Sequence, residues 1–297
     1  MKRRVAAIVA AVALTLGAIA WSTEPPRLLS WADWLVGGGR GTDLVAAAVP
    51  FGSTGQTLDV WRPAGPVRAK LPVVVFYYGG GWVHGDRRAY AFAARALAKA
   101  GFVVVVPDYR KVPGVRFPAF LQDAAMALRW TRDHVAAFGG DPTRVGIAGH
   151  SAGGYIAAML ALDPRWLKAE GVDPRFVRAA VPMCAPLDFY PFTKQRSRDA
   201  MQGAADPAMT QPIHFVRRDA APLLLLTAGA DEQVGAHNAD NLTARMRAVG
   251  GDIRHIDYPG RSHEDVVMGL SKPFRDRAPT LADTVSFLNR TLAPAMR

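Results

Sequence analysis

The chain has 297 residues, half of them apolar, which suffices for one large domain or two small ones with a sizeable core. Its net charge of +11 is scattered without a block of five or six like charges, so a basic soluble surface is expected rather than a nucleic-acid patch; the densest sites are Lys2-Arg3-Arg4 and the stretch Lys194 to Arg198. The single cysteine, Cys184, excludes an internal disulfide and a cysteine-based metal site, and its apolar neighbours Ala179 to Leu187 read as the setting of a buried structural thiol.

Residues 1–20 have the form of a targeting segment. Lys2, Arg3 and Arg4 precede the apolar run Val5 to Ala20, and Ala18-Ile19-Ala20 offers a small-residue cleavage site. The run is short for a spanning helix, so export with cleavage is the first expectation and an uncleaved anchor, with Trp21 at the interface, the second. Either way the rest of the chain lies outside the cytoplasm. Residues 21–43 read as a linker or cap: Pro25 and Pro26, then a segment with Trp31 and Trp34 that Gly37 to Gly39 interrupt.

The body is expected over 44–297. Leu44 to Phe51 and Gln56 to Trp61 predict an edge hairpin with a turn at Gly52 to Gly55. From Leu71 onward the pattern alternates. Apolar strands are expected at 72–78, 102–106, 144–148, 177–183, 222–226 and 253–258, and helices at 89–100, 117–135, 152–162, 236–249 and 280–292. Gly101 and Gly139 stop two of the helices. Continuous apolar strands between amphipathic helices predict an α/β domain, a mostly parallel eight-stranded sheet covered on both faces. No internal repeat opposes a single domain.

Gly149-His150-Ser151-Ala152-Gly153 has the pattern G-x-S-x-G between a predicted strand and a predicted helix, where a strained turn would lift the serine hydroxyl above the sheet. A serine needs a base to become nucleophilic, and the base needs an orienting acid. In parallel sheets such groups gather beyond the carboxyl ends of strands. Asp231 follows the strand ending near Leu226 and is the candidate acid, with Glu232 as runner-up. His263 follows the strand ending at Tyr258 and is the candidate base. His255 lies within a strand and His237 on a helix; His84, His134 and His150 suit solvated or structural roles, which leaves His214 as the rival. Gly79-Gly80-Gly81 follows another strand, and its amides can approach a substrate carbonyl with no side chain in the way. The amide of Ala152 would complete an oxyanion hole.

With these residues, the chain resembles the α/β-hydrolase fold, and within it bacterial carboxylesterases of the hormone-sensitive-lipase and kynurenine-formamidase-like groups. The order Ser151, Asp231, His263 matches that fold, and Tyr78 to Trp82, Asp108-Tyr109-Arg110, Gly139 to Pro142 and Ala220 to Asp231 are similar to family stretches. The resemblance spans residues 44–292. It implies Gly80 and Gly81 as the loop's oxyanion donors. It also sets one departure: such families carry a histidine, a loop-shaping residue rather than a triad member, before the three glycines, where this chain has Tyr78; activity is expected to survive, with the acyl or alcohol pocket shaped differently. The short stretch from Met183 to Pro222 leaves room for one or two lid helices, with Phe189, Tyr190, Phe192 and Met201 as wall or packing residues, and the Trp31–Trp34 segment as a further cover.

The expected activity is hydrolysis of small-molecule carboxylic esters with short to medium acyl chains, through an acyl-enzyme on Ser151, without metal or organic cofactor. Alternatives are an amidase such as an arylformamidase, an exopeptidase using the same triad, and a non-catalytic binding protein on a hydrolase fold. No nucleic-acid partner is expected.

Overall fold

The structure, a computed structural model, describes residues 24–66 and 68–294. The targeting segment expected at 1–20 lies outside the described residues, and no helix within them is long and apolar enough to cross a membrane.

Strand β1 (Thr42–Pro50) and β2 (Thr57–Pro63) form the expected antiparallel hairpin. The apolar runs that follow become β3 (Leu71–Tyr77), β4 (Val103–Pro107), β5 (Gly140–His150), β6 (Val177–Met183), β7 (Leu223–Ala228) and β8 (Ile253–Tyr258). They join one sheet in the order β1-β2-β4-β3-β5-β6-β7-β8. β2 pairs antiparallel with β4, and every later pairing is parallel. β5 begins four residues before the apolar run that predicts it: Gly140 pairs with Leu71, and an irregular register lets the strand regain its partner at Val145 opposite Val73.

Helices cover both faces. α2 (Ala91–Lys99) and α9 (Thr280–Thr291) pack on one; α3 (Ala119–His134), α4 (Ala152–Leu162), α5 (Arg165–Ala169) and α7 (His237–Ala248) lie on the other, with the lid helix α6 (Gln195–Met201) and the short α8 (His263–Met268) above the strand ends. The chain crosses from β3 to β4 in one direction and then returns past β3 to β5. The carboxyl ends of β3 and β5 therefore flank the crevice where strand order reverses, the usual ligand position in open α/β sheets.

Within the segment read as a linker or cap lies a helix, α1 (Pro25–Leu35), with proline in its first turn, where a missing N–H costs nothing. It docks through polar groups. Ser30 Oγ donates to Ala89 O at 2.8 Å and accepts from Phe92 N, while Asp33 pairs with Arg95 at 2.8 Å and accepts from Lys272 N. Both carboxylate and guanidinium are at least nine-tenths buried.

Candidate active site

Ser151 stands at φ 55°, ψ −118°, between β5 and α4. Such a conformation costs energy for a residue with a β-carbon and survives only where its surroundings enforce it. Here Ser151 N donates to Met183 O at 2.8 Å, and every residue of α4 behind it is buried. The flanking glycines are required by contact rather than by flexibility. A β-carbon on Gly149 would lie 2.3 Å from Gly153 O, and one on Gly153 would lie 2.0 Å from Tyr77 O.

Asp231 and His263 emerge from neighbouring parallel strands, β7 and β8. The two loops are stitched together where Gly229 N donates to Tyr258 O and Ala230 N to Arg261 O. His263 Nδ1 and Asp231 Oδ2 are 2.7 Å apart, with both side chains 5 % exposed. The other carboxylate oxygen accepts from the amides of Gln233 and Val234, at 2.8 Å each. Burial pushes the Asp231 carboxyl upward, but the His263 hydrogen bond and charge, with the two amides, outweigh it and hold it below its ordinary range. Glu232, the runner-up acid, makes no bond to His263 and offers its backbone carbonyl to Lys194 instead. His263 does not sit in an open loop. It is the first residue of α8, whose capping box pairs the Ser262 and Asp265 side chains with each other's amides.

The remaining histidines separate cleanly. His214 lies in a 3-10 turn beside Asp206 and Gln211, away from the serine. His255 pairs with Thr227 Oγ1 within the sheet. His150 is the exception, since its ring is buried 4.7 Å from the His263 ring and its Nε2 contacts His263 O at 3.0 Å. Burial, with the His263 charge adding to it, lowers its pKa to about 3, so the ring is neutral. Cys184 is buried as expected, and its thiol lies beside Asp231; burial and that negative charge keep it protonated. Its sulfur and the two histidines have ligand atoms within 4.8 Å of one another. As a metal site the group is unsuited, because a thiol ligand must be ionised and burial with the Asp231 charge keeps this one protonated.

The glycine loop lies beside the serine. Gly80 has φ +130° and Gly81 φ +61°, conformations open to glycine, and a β-carbon on Gly80 would lie 2.3 Å from His84 O. The Gly80 carbonyl turns inward to accept from Val83 N and His84 N. The amides of Gly80, Gly81 and Ala152 donate to no acceptor among the described residues.

Tyr78 does not shape either substrate cavity. It is buried beneath the loop, stacked on Tyr109 at 4.6 Å, and its hydroxyl meets Asp108 at 3.1 Å and Lys111 Nζ at 3.0 Å. Asp108 also accepts from the Arg87 amide, and the Arg87 guanidinium bridges to Asp59 at 2.8 Å, which ties the far end of the loop to β2.

Two cavities meet at Ser151. The first, about 520 Å³, is mostly apolar and contains His263, Val267, Met268 and Phe274, with Leu28 and Leu29 of α1 as its outer wall. α1 thus covers the site through its leucines, while Trp31 and Trp34 point outward at 47 % and 65 % exposure. The second, about 280 Å³, lies on the Ala152 side under the lid and is walled by Trp82, Phe189 and Tyr190. Phe192 packs on Phe189 and Met201 is buried in the core, so the four lid residues divide between wall and packing. The lid itself is α6 plus two 3-10 turns, Pro207–Thr210 and Pro212–Phe215. Sequence reasoning gave His150 a solvated or structural role and passed over Arg196 and Gln233 at this site, which the lid and the β7 loop bring in.

The profile of the BD-FAE family matches residues 58–246. Esterase LipC of Mycobacterium tuberculosis is 33 % identical over 229 residues, 70 % of this chain and 56 % of LipC. The chain thus spans just over half the length of LipC, and likewise 57 % of the carboxylic ester hydrolase LipM of the same organism. Among solved structures, an inhibited esterase B of Lactobacillus rhamnosis aligns with a TM-score of 0.75 at 20 % identity, covering 96 % of both chains. A propionate-bound esterase, Est2, of Thermogutta terrifontis aligns with a TM-score of 0.70 at 23 % identity, over 86 % of this chain and 97 % of its own. At these identities the structural matches establish the shared α/β-hydrolase fold.

Proposed function

The chain belongs to the BD-FAE family and, with it, to the α/β-hydrolase carboxylesterases of the hormone-sensitive-lipase type, and from that premise we propose that it hydrolyses small carboxylic esters through an acyl-enzyme on Ser151. The observation that carries the reading is the buried Asp231–His263 pair, whose histidine lines the same cavity as Ser151, near three amides that donate to no acceptor among the described residues.

In this mechanism Ser151 Oγ attacks the ester carbonyl and His263 Nε2 takes its proton. Asp231 fixes the imidazole with its N–H on Nδ1 and stabilises the imidazolium that forms. The amides of Gly80, Gly81 and Ala152 receive the oxyanion, each worth on the order of 10²–10³ in turnover. The tetrahedral intermediate collapses as His263 returns the proton to the departing alcohol. Water, deprotonated by the same imidazole, then attacks the acyl-enzyme and releases the acid. Because the leaving oxygen must reach His263, the alcohol occupies the 520 Å³ apolar cavity. The acyl group turns to the 280 Å³ cavity on the Ala152 side, whose size favours short to medium chains.

We also propose that the domain works outside the cytoplasm, exported or tethered through residues 1–20. The central test is labelling with a fluorophosphonate, followed by peptide mapping. The expected result is one modified peptide containing Ser151, with labelling and ester hydrolysis both lost in Ser151→Ala. Modification of another serine, or full activity in that variant, would remove the proposal. A parallel panel of formyl and aminoacyl amides tests the ester preference.

A further inference from the structure

The acyl cavity carries a charge that hydrolysis of a neutral ester does not use. Arg196, exposed on α6, lies across the glycine loop: a β-carbon on Gly81 would come 2.8 Å from Arg196 Cδ and 3.4 Å from its Nη1. Arg196 lines both cavities, as Ser151 does. The side-chain bond recorded for it is Nη2 to the neutral Gln233 Oε1 at 3.4 Å, a long and weak contact. Two residues earlier, Lys194 also lines the acyl cavity and donates to the backbone carbonyls of Gln233 and Glu232, at 2.8 Å and 3.4 Å. Neither cation has a carboxylate within ion-pair distance among the described residues, whereas nearby arginines do: Arg87, Arg95 and Arg110 are all paired. The acidic groups facing the same space are engaged elsewhere. Asp188 Oδ2 accepts from Asn241 Nδ2 at 2.7 Å, and Glu264 Oε1 accepts from Gln233 Nε2.

Two cations without a carboxylate partner among the described residues line this small cavity together with Trp82 and Phe189, whose rings stack on each other at 6.2 Å, and the combination suits a brief apolar acyl chain ending in an anion. We propose that the acyl cavity selects esters whose acyl group carries a terminal carboxylate, half-esters of short dicarboxylic acids, with Arg196 and Lys194 as the specificity-determining residues. This rests on the esterase reading above and on its assignment of the acyl side. The planar guanidinium presents two N–H groups to one carboxylate, and Lys194 adds a point charge.

The test is a matched pair of substrates with one alcohol, benzyl butyrate and benzyl hemisuccinate, which differ in a terminal methyl against a carboxylate. Steady-state constants are measured by benzyl alcohol release. The wild type is expected to prefer the hemisuccinate in kcat/KM. Arg196→Gln lowers the hemisuccinate-to-butyrate ratio about tenfold, mainly through the hemisuccinate KM, as loss of one exposed charged contact implies. Adding Lys194→Gln lowers it further, and Arg196→Lys restores part of it. Raising ionic strength to about 0.5 M narrows the wild-type ratio, because the contact is solvent-accessible. An unchanged ratio in the double variant overturns the proposal, as does an equal fall in kcat for both esters, which would put the guanidinium on the developing oxyanion instead. Wild-type protein that cleaves neither ester and takes no fluorophosphonate would fail at the earlier step, the esterase reading itself.

Discussion

His150 makes the stability of this protein sensitive to acid in a defined window. The ring is neutral and buried at the heart of the site. Its Nε2 lies 3.0 Å from His263 O, so the single proton resides on Nε2, while Nδ1 is buried without a hydrogen-bond partner among the described residues. A second proton would charge the ring against the desolvated interior and against His263, which is why its pKa falls from 6.5 to about 3. A base whose folded pKa is depressed binds fewer protons when folded than when unfolded. Its contribution to stability is therefore fully present above pH 6.5 and is lost as pH falls towards 3. At pH 5 the loss relative to pH 7.5 is about 2 kcal/mol, at 1.36 kcal/mol per pH unit over the interval below 6.5. Asp231, also depressed, loses its contribution only at lower pH, below the ordinary carboxylate range, so pH 5 to 7.5 isolates the histidine. The variant His150→Gln keeps an N–H donor in the place of Nε2 but does not titrate. Urea unfolding of both proteins at pH 7.5 and 5 should show the wild type losing about 2 kcal/mol more than the variant across the interval. Equal losses would mean that the ring is charged in the folded state or accessible to water, and the account of a neutral imidazole behind the Asp231–His263 pair would be wrong.

Two further outcomes follow from the site and its cover. Asp231→Asn should preserve the fold yet reduce kcat on the order of 10⁴, because the amide can stabilise the wrong imidazole tautomer; a loss below tenfold in kinetics on benzyl butyrate would contradict the role given to Asp231. Asp33→Ala strips Arg95 of its buried partner and should cost about 3–5 kcal/mol in denaturant unfolding. With α1 loosened, esters of bulky apolar alcohols should lose more kcat/KM than methyl esters, and an equal loss for both would detach α1 from the alcohol cavity.

The sheet and its covering helices were legible because the signals are local and redundant. Val103 to Val106 and Leu223 to Leu226 are unbroken apolar runs, and α9 repeats Leu281, Val285, Leu288 and Leu292 along one stripe. Chain order and strand ends then sufficed to nominate Asp231 and His263, and the structure brings those two into hydrogen-bond contact. What escaped was whatever depends on polar contacts between distant segments. α1 is held to the body by Ser30 and Asp33, which meet Ala89, Phe92 and Arg95 some sixty positions away. The start of α8 did have a local signal, Ser262 and Asp265 in capping-box spacing, which the strand-to-loop reading of His263 passed over.

Tyr78 takes the loop-shaping role that the resemblance implies for its position, without the expected effect on the acyl or alcohol pocket. It stands directly before Gly79, close enough in sequence for such an effect. Yet it follows the last residue of a fully covered strand, and residues alternate in direction along and just beyond a strand. The amides of Gly80 and Gly81 donate to no acceptor among the described residues, while Tyr78 lies inward, where Tyr109, Asp108 and Lys111 receive it. A large aromatic is tolerated there because Tyr109 Oη donates to the Tyr78 carbonyl at 2.9 Å, and the ring stack fixes the strand end from which the loop departs. The loop is thus shaped from below by a tyrosine pair. If Arg196 on α6 chooses the acyl group as proposed, the two positions serve different functions, loop geometry and acyl choice, and substitutions at Tyr78 and at Arg196 should combine additively.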